Sequence, residues 1–159
     1  MVAYRLSWLA LLLSVLIALI LEVVSLPATV SFLRPEWLVL TLVYWLLRHP
    51  EAIGIASGVI AGVFMDVLSG TYFGIHVLSL SLICYLVLIM HQRLKMFPVA
   101  QQAVVLFFIT GIHLMVVYTM RSLLSYADSG LDYLWQALAS ALLWPFIVIF
   151  YDRLVYALR

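Results

Sequence analysis

The stretch that decides the fold is GIASGVIAGVFMDVLSGTYFGIH, Gly54 to His76, which is apolar except for an aspartate near its end and the histidine that closes it. Gly54, Gly58 and Gly62 recur at every fourth position, so a helix aligns them in one stripe that a neighbouring backbone can approach closely. Asp66 is the next step of this series, which places its carboxylate on the packed face. The pattern predicts a membrane helix that packs through one face, within the chain or across a dimer.

The whole chain shares this apolar character. Of its 159 residues, 67% are hydrophobic and 9% are charged, whereas soluble domains are about a quarter charged. A helix needs roughly 20 apolar residues to cross a bilayer core, so the length allows five or six crossings without a separate soluble domain. The net charge is +1, and the basic residues are scattered along the chain. They form no basic stripe of the kind that nucleic-acid binding requires. We predict one all-α membrane domain over residues 1–159.

Six apolar segments predict a polytopic bundle of six transmembrane helices, over residues 6–26, 35–48, 51–68, 75–92, 98–124 and 132–156. The second segment is too short for a full crossing at 1.5 Å per residue, so it needs a thinned bilayer, snorkelling arginines or protein cover. Pro145, which follows Trp144 inside the last segment, is expected to kink that helix and free a carbonyl. Six aromatic residues are predicted mostly as interfacial belt residues: Trp8, Trp37, Tyr44, Trp45, Trp135 and Trp144.

The distribution of basic residues predicts the orientation. Two basic residues fall on one side of the predicted helices, Arg34 and Arg121, and six fall on the other: Arg5, Arg48, Arg93, Lys95, Arg153 and Arg159. Because short cytoplasmic loops carry the excess of lysine and arginine, we expect both termini in the cytoplasm. Most of the acidic residues then lie on the outer side.

Asp66 is predicted within about one turn of the outer end of its helix, where water partly reaches it and a charge costs less than at the midplane. A carboxylate near a helix C-terminus is badly placed for the helix dipole and needs a cation or donor. His76, Arg34 and Arg121 are predicted on the same side. We expect Asp66 to pair with one of them across the rim of a pocket. The glycine-rich turn that follows, with Ser69 and Gly70, is either an ordinary tight turn or a ligand loop.

No catalytic arrangement is evident in the sequence. A rhomboid-like protease needs a Gly-x-Ser-Gly turn, but Ile55 occupies the first glycine position. An aspartyl protease needs two facing aspartates, whereas Asp66 and Asp152 are predicted at opposite faces. The histidines lack metal-ligand spacing, so we expect no enzyme activity, cofactor or metal. A transport role stays open, because several polar groups would line an outward-facing cavity: Glu22, Asp66, His76, His113 and Arg121.

Several motifs, taken in order, resemble the bacterial rod-shape-determining protein MreD family over almost the whole chain. They are FLRPEW at 32–37, YW at 44–45, GxxxGxxxDxLSG at 58–70, QQ at 101–102 and LWP at 143–145. The resemblance implies a non-catalytic inner-membrane subunit that acts with MreC. It also implies a link between cytoplasmic MreB filaments, the RodA glycosyltransferase and the class B penicillin-binding transpeptidase of elongation.

The family fold is similar to the six-helix substrate-binding component of energy-coupling-factor transporters, so a small-solute-binding membrane component is the alternative. The resemblance matches the family's carboxylate and Ser-Gly to Asp66, Ser69 and Gly70. If the chain is an assembly subunit, the base of MreC is expected to meet the segment around Arg34–Trp37. The partner or pocket candidates are Arg34, Pro35, Glu36, Trp37, Asp66, Ser69, Gly70, His76 and Arg121, and the helix-packing candidates are Gly54, Gly58, Gly62, Trp144 and Pro145.

Overall fold

The protein is a bundle of six α-helices in the computed structural model, which describes residues 8–24, 34–70, 72–124 and 132–157. The helices are α1 (Trp8–Val23), α2 (Trp37–Arg48), α3 (Ile55–Ser69), α4 (Ile75–Met96), α5 (Val99–Leu123) and α6 (Asp132–Ala157). Each coincides with one predicted segment, and no strand occurs in these ranges. The two largest differences are of four residues each. Helix α4 continues to Met96 instead of ending at 92, and α3 begins late because the N–H groups of Ala52 and Ile53 close a turn on the His49 carbonyl.

The helices fall into two length classes. Three are long and apolar enough to cross a membrane, at Ile75–Met96, Val99–Leu123 and Tyr133–Ala157. The other three are shorter, and α2, with 12 residues, is only about 18 Å long against a hydrocarbon core of about 30 Å. The expectation that the second segment is too short is confirmed.

Neighbouring helices of the bundle cover the short α2. Every residue from Leu38 to Leu47 is buried, because α1, α4 and α6 surround the helix. Hydroxyl groups join it to these neighbours: the Trp45 indole N–H donates to Ser14 Oγ over 2.8 Å, and Thr41 Oγ1 lies 2.7 Å from the Tyr151 hydroxyl. The central helix of the bundle is therefore the shortest one.

The prediction of an aromatic belt is wrong for three of the six residues. Tyr44, Trp45 and Trp144 are 3%, 2% and 1% exposed and belong to the core. Their apolar area is used for packing inside the bundle, where their polar atoms also find hydrogen-bond partners. Trp135 is 53% exposed, as a belt residue would be, Trp37 is half-buried, and the side chain of Trp8 lies outside the described part.

The glycine stripe packs α3 against α4 of the same chain. A Cβ at Gly58 would lie 2.7 Å from the Leu80 carbonyl oxygen, and a Cβ at Gly62 would lie 2.6 Å from the Val77 backbone nitrogen. These two glycines therefore serve contact within the chain, and they are not available to a dimer. Gly54 departs from the prediction, because it precedes the first turn of α3 and a Cβ at this position would have no neighbour within 4 Å.

The alternating helices give the bundle two distinct ends. At one end, α1, α3 and α5 finish and α2, α4 and α6 begin; a cavity opens there, and we call it the cavity end. The opposite, basic end carries Arg48, Arg93, Lys95 and Arg153, whereas Arg5 and Arg159 lie outside the described residues. Helix α6 runs through Pro145 without a break, and the indole of the neighbouring Trp144 donates to Gln102 Oε1 on α5 over 3.1 Å.

Candidate partner-binding cavity

A polar cavity of about 390 Å³ opens at the cavity end. It lies where the short α2 begins, and the ends of α1, α3 and α5 with the starts of α4 and α6 form its walls. Its charged and titratable lining residues come from helices of the bundle and the segment before α2, and they include Glu22, Arg34, Glu36, His76, His113 and Arg121. Four of the five residues that the sequence assigned to an outward cavity are thus brought together.

Glu22, near the end of α1, caps the start of α2. Its Oε2 accepts the backbone N–H of Leu38 over 3.2 Å, and its Oε1 lies 3.7 Å from the guanidinium of Arg34. The N–H groups of a first helical turn have no partner within their own helix, and a negative charge there is favourable. The buried Glu22 carboxylate therefore fixes the chain where it enters α2.

Asp66, near the end of α3, does the same for α4. Its Oδ2 accepts the N–H of Gly74 over 2.7 Å, and its Oδ1 accepts the N–H of His76 over 2.9 Å. The His76 ring nitrogen Nδ1 lies 2.8 Å from the same Oδ1. The structure thus pairs Asp66 with His76 among the three predicted partners.

The position of Asp66 differs from the prediction in one respect. Asp66 is only 1% exposed, so the expectation that water partly reaches it is wrong, and it does not line the cavity. His76 is the member of the pair that lines the cavity. Gly70 and Gly74 allow this turn because both have positive φ, +61° and +110°, which other residues adopt only with strain.

Glu36 and His113 form the third polar contact of the cavity. Glu36 Oε2 lies 3.5 Å from His113 Nε2, and the Glu36 backbone N–H donates to Ser140 Oγ over 2.9 Å. On the other side of the ring, Ser79 Oγ is 2.7 Å from His113 Nδ1 and donates to the His113 carbonyl over 3.1 Å. The His113 ring therefore lies between Ser79 and Glu36, with Nε2 facing the carboxylate. This contact is an ion pair only when both ring nitrogens carry a proton.

Arg121 is the cation of the cavity without such a contact. Within the described part of the chain, its guanidinium has no hydrogen bond and no ion pair, and its Nε is buried. The Nε of Arg34 is also buried without a hydrogen-bond partner among these residues. The nearby carboxylates already have partners, which are backbone N–H groups, a histidine or Arg34. Guanidinium N–H groups in the cavity are therefore available to a hydrogen-bond acceptor on a ligand or partner.

The remaining candidates support these contacts rather than adding charge. Pro35 is buried, and its carbonyl accepts the N–H of Trp37 over 3.1 Å. Ser69 lines the cavity rim. The arrangement positions several hydrogen-bonding groups in a preformed hollow, which suits recognition of a polar segment or small molecule.

Sequence reasoning missed the supporting hydroxyls and one amide. Ser79 and Ser140 are isolated serines in apolar helices, so no local pattern distinguishes them. The sequence presents Gln102 only as part of a motif. In the structure, its Nε2 donates to the carbonyls of Leu94 and Phe97 over 3.0 and 3.1 Å, which satisfies acceptors at the end of α4.

The geometry does not form the catalytic pairs considered from the sequence. Asp152 is at the basic end, where both of its oxygens accept from Arg48 NH2 over 2.8 Å, far along the bundle from Asp66. Among the described residues, no group of three or more His, Cys, Asp or Glu side chains is arranged to hold a metal ion.

Fold and cavity together define the class: an all-helical membrane bundle with a preformed polar cavity at one end. Comparison with known proteins then gives the family, since the profile of rod shape-determining protein MreD matches residues 3–154. The rod shape-determining protein MreD of Haemophilus influenzae is 31% identical over 153 residues, covering 91% of this chain and 89% of that protein. The chain belongs to the MreD family of rod-shape-determining membrane proteins. No solved structure matches it, so the similarity to energy-coupling-factor components stays a prediction.

Proposed function

We propose that this chain is a non-catalytic subunit of the bacterial cell-elongation complex, located in the inner membrane with both termini in the cytoplasm. In this role it binds MreC and helps to couple cytoplasmic MreB filaments to peptidoglycan synthesis by RodA and the class B transpeptidase. Family membership supports the rod-shape role. The preformed cavity with the unpaired Arg121 is the observation that carries the binding role.

The expected docking of MreC follows from what the bundle offers. Its single helix would lie on a lipid-facing surface, and the chain leaving that helix would cross the cavity at Arg34–Trp37. Arg34 and Glu36 line the cavity, which supports this placement. Helix α1, which ends beside the cavity, presents a continuous apolar face of exposed residues: Leu9, Leu12, Leu16 and Ile20. Cytoplasmic partners would meet the basic end.

Charge reversal at Arg121 tests the proposal. We expect Arg121→Glu to reduce co-purification of MreC at least tenfold and to make rod cells round, because a carboxylate would repel an acceptor and compete for the histidines. Arg93→Glu, a charge reversal at an exposed arginine of the opposite end, is the control for co-purification of MreC alone, since cytoplasmic partners would bind at that end. If Arg121→Glu is made in normal amounts and still retains MreC and rod shape, the cavity is not the docking site.

The volume of the cavity favours a second candidate, a small-solute-binding component, because about 390 Å³ lies within the range of small-molecule sites. Mass spectrometry of the tagged protein, gently purified from its native membrane, separates the two. Stoichiometric MreC with wall-synthesis enzymes supports the assembly role. A retained solute together with an ATPase pair supports the second.

A further inference from the structure

A second hollow, of about 90 Å³, lies at the basic end. The end of α2, the end of α4, the start of α5 and the middle of α6 enclose it. Its lining includes Tyr44, Arg48, Lys95, Val99, Gln102 and Trp144. We call this hollow the basic groove. None of its lining residues belongs to the cavity at the opposite end, so a ligand here is independent of the proposed binding of MreC at that cavity.

The basic groove has a surplus of positive charge. Asp152 compensates Arg48, because Arg48 NH2 donates to both of its carboxylate oxygens over 2.8 Å. The Tyr44 hydroxyl donates to the same carboxylate over 2.7 Å. The Lys95 ammonium has no ion pair or hydrogen bond with any described residue, and the exposed carboxylate of Glu51 acts on it only at longer range. The Lys95 ammonium is therefore the cation of the groove that has no direct partner in the described chain.

The start of α5 adds to this charge. This 25-residue helix begins at Val99, which lines the groove, and no side chain caps its N-terminus. The N-terminal end of a helix carries a partial positive charge and attracts anions. Lys95 and the helix end therefore face the same small space, and an anionic group would satisfy both.

Apolar surface surrounds the basic groove. Leu47 and Val148 line it, and Met96 and Phe97, at the turn between α4 and α5, are 80% and 38% exposed. A ligand that fits both parts has a small anionic head and apolar chains. Basic hollows between transmembrane helices are known to hold anionic lipid headgroups.

We propose that the basic groove binds the phosphate of an anionic phospholipid, with Lys95 as its principal contact and the acyl chains along the exposed apolar helix faces. Arg48 is held by Asp152 and supports the site by keeping its shape. The occupant is a lipid of the leaflet at this end, because the groove joins an ammonium that has no partner in the described chain to the exposed apolar side chains of Met96 and Phe97.

The test compares purified full-length protein in two kinds of nanodisc, one of phosphatidylcholine alone and one in which about one lipid in three is phosphatidylglycerol, which gives the disc a negative surface potential. We expect the anionic lipid to raise the thermal unfolding midpoint of the wild type. Lys95→Gln should lose at least half of this rise, and Arg93→Gln, an exposed basic residue outside the groove, should keep it.

Native mass spectrometry on the same samples gives a readout that does not depend on stability. Phosphatidylglycerol should stay bound to the wild type and to Arg93→Gln and be depleted at least threefold on Lys95→Gln. Equal losses in the two variants would show general surface attraction and overturn the proposal. It would also fail if phosphatidylglycerol has no effect, or if inorganic phosphate in phosphatidylcholine nanodiscs reproduces the rise, since the anion would then not be a lipid.

Discussion

Asp66 is buried in an apolar bundle, yet both of its oxygens have partners. Two backbone N–H groups and the His76 ring surround the carboxylate. The start of α4 therefore supplies the hydrogen-bond partners that lipid cannot provide. Glu22 is used in the same way one hairpin earlier. In each case an acid at the end of one helix compensates the unpaired N–H groups of the next, which is favourable because both would otherwise be buried unsatisfied.

Removal of this carboxylate should therefore destabilise the protein. Asp66→Ala leaves the N–H groups of Gly74 and His76 without acceptors, and each unsatisfied buried group costs about 1–3 kcal/mol. We expect a clearly lower unfolding midpoint in detergent. Ser69→Ala, which alters an exposed polar residue of the same turn, serves as the control, and an unchanged midpoint for Asp66→Ala would contradict the capping role.

At the scale of elements, the contact between α3 and α4 depends on two glycines. Substitution of alanine at Gly62 should force the helices apart, because the new Cβ meets the backbone of Val77. Overpacking of this kind costs about 1–3 kcal/mol. Gly54→Ala is the matched control, since Gly54 has space for a Cβ and a φ of −107°. Thermal unfolding measures the difference, and equal unfolding midpoints for the two variants would contradict this account.

The hairpin between α4 and α5 depends on Gln102, which bonds two carbonyls at the end of α4 and the indole on α6. Gln102→Leu keeps the approximate size but removes all three contacts, so we expect a loss of about 1–3 kcal/mol. Its neighbour provides the control, because Gln101 is exposed at the helix start and Gln101→Leu removes none of these bonds. Denaturant or thermal unfolding measures the difference, and equal stability of the two variants would disprove the role of Gln102.

At the scale of the whole molecule, the short central helix is what makes room for a cavity. Helices α5 and α6 extend past the start of α2, because Glu36 contacts His113, ten residues before the end of α5, and Ser140, eight residues after the start of α6. Their polar ends line the hollow above α2. The cavity at one end and the basic residues at the other also make the orientation in the membrane a testable property.

Cysteine labelling in intact cells tests that orientation. The single native cysteine, Cys84, is buried, so reporters can be added singly at exposed Ser69 and Gln92. A membrane-impermeant maleimide should label Ser69→Cys from outside, and it should label Gln92→Cys only after the cells are opened. The reverse pattern would invert the assignment of the two ends.

Much of the fold was predictable because apolar segments of this length have few alternatives in a membrane. The six helices, the short α2 and the pairing of Asp66 with a residue on the same side all followed from local spacing and helix electrostatics. Burial was not predictable for Tyr44 and Trp144, since an aromatic residue in an apolar segment suits an interfacial position equally well until its neighbours are known.

The sequence by itself determined that the chain forms apolar helices, where they begin and end to within a few residues, and which family it resembles, because those properties depend on residues adjacent along the chain. Only the tertiary structure decided which acids have partners and which cations, Arg121 and Lys95, have no direct partner among the described residues. The partners of Glu36 and Arg48 lie on other helices, at His113 and Asp152. Such contacts depend on how helices rotate and cross, and an apolar segment leaves that rotation undetermined.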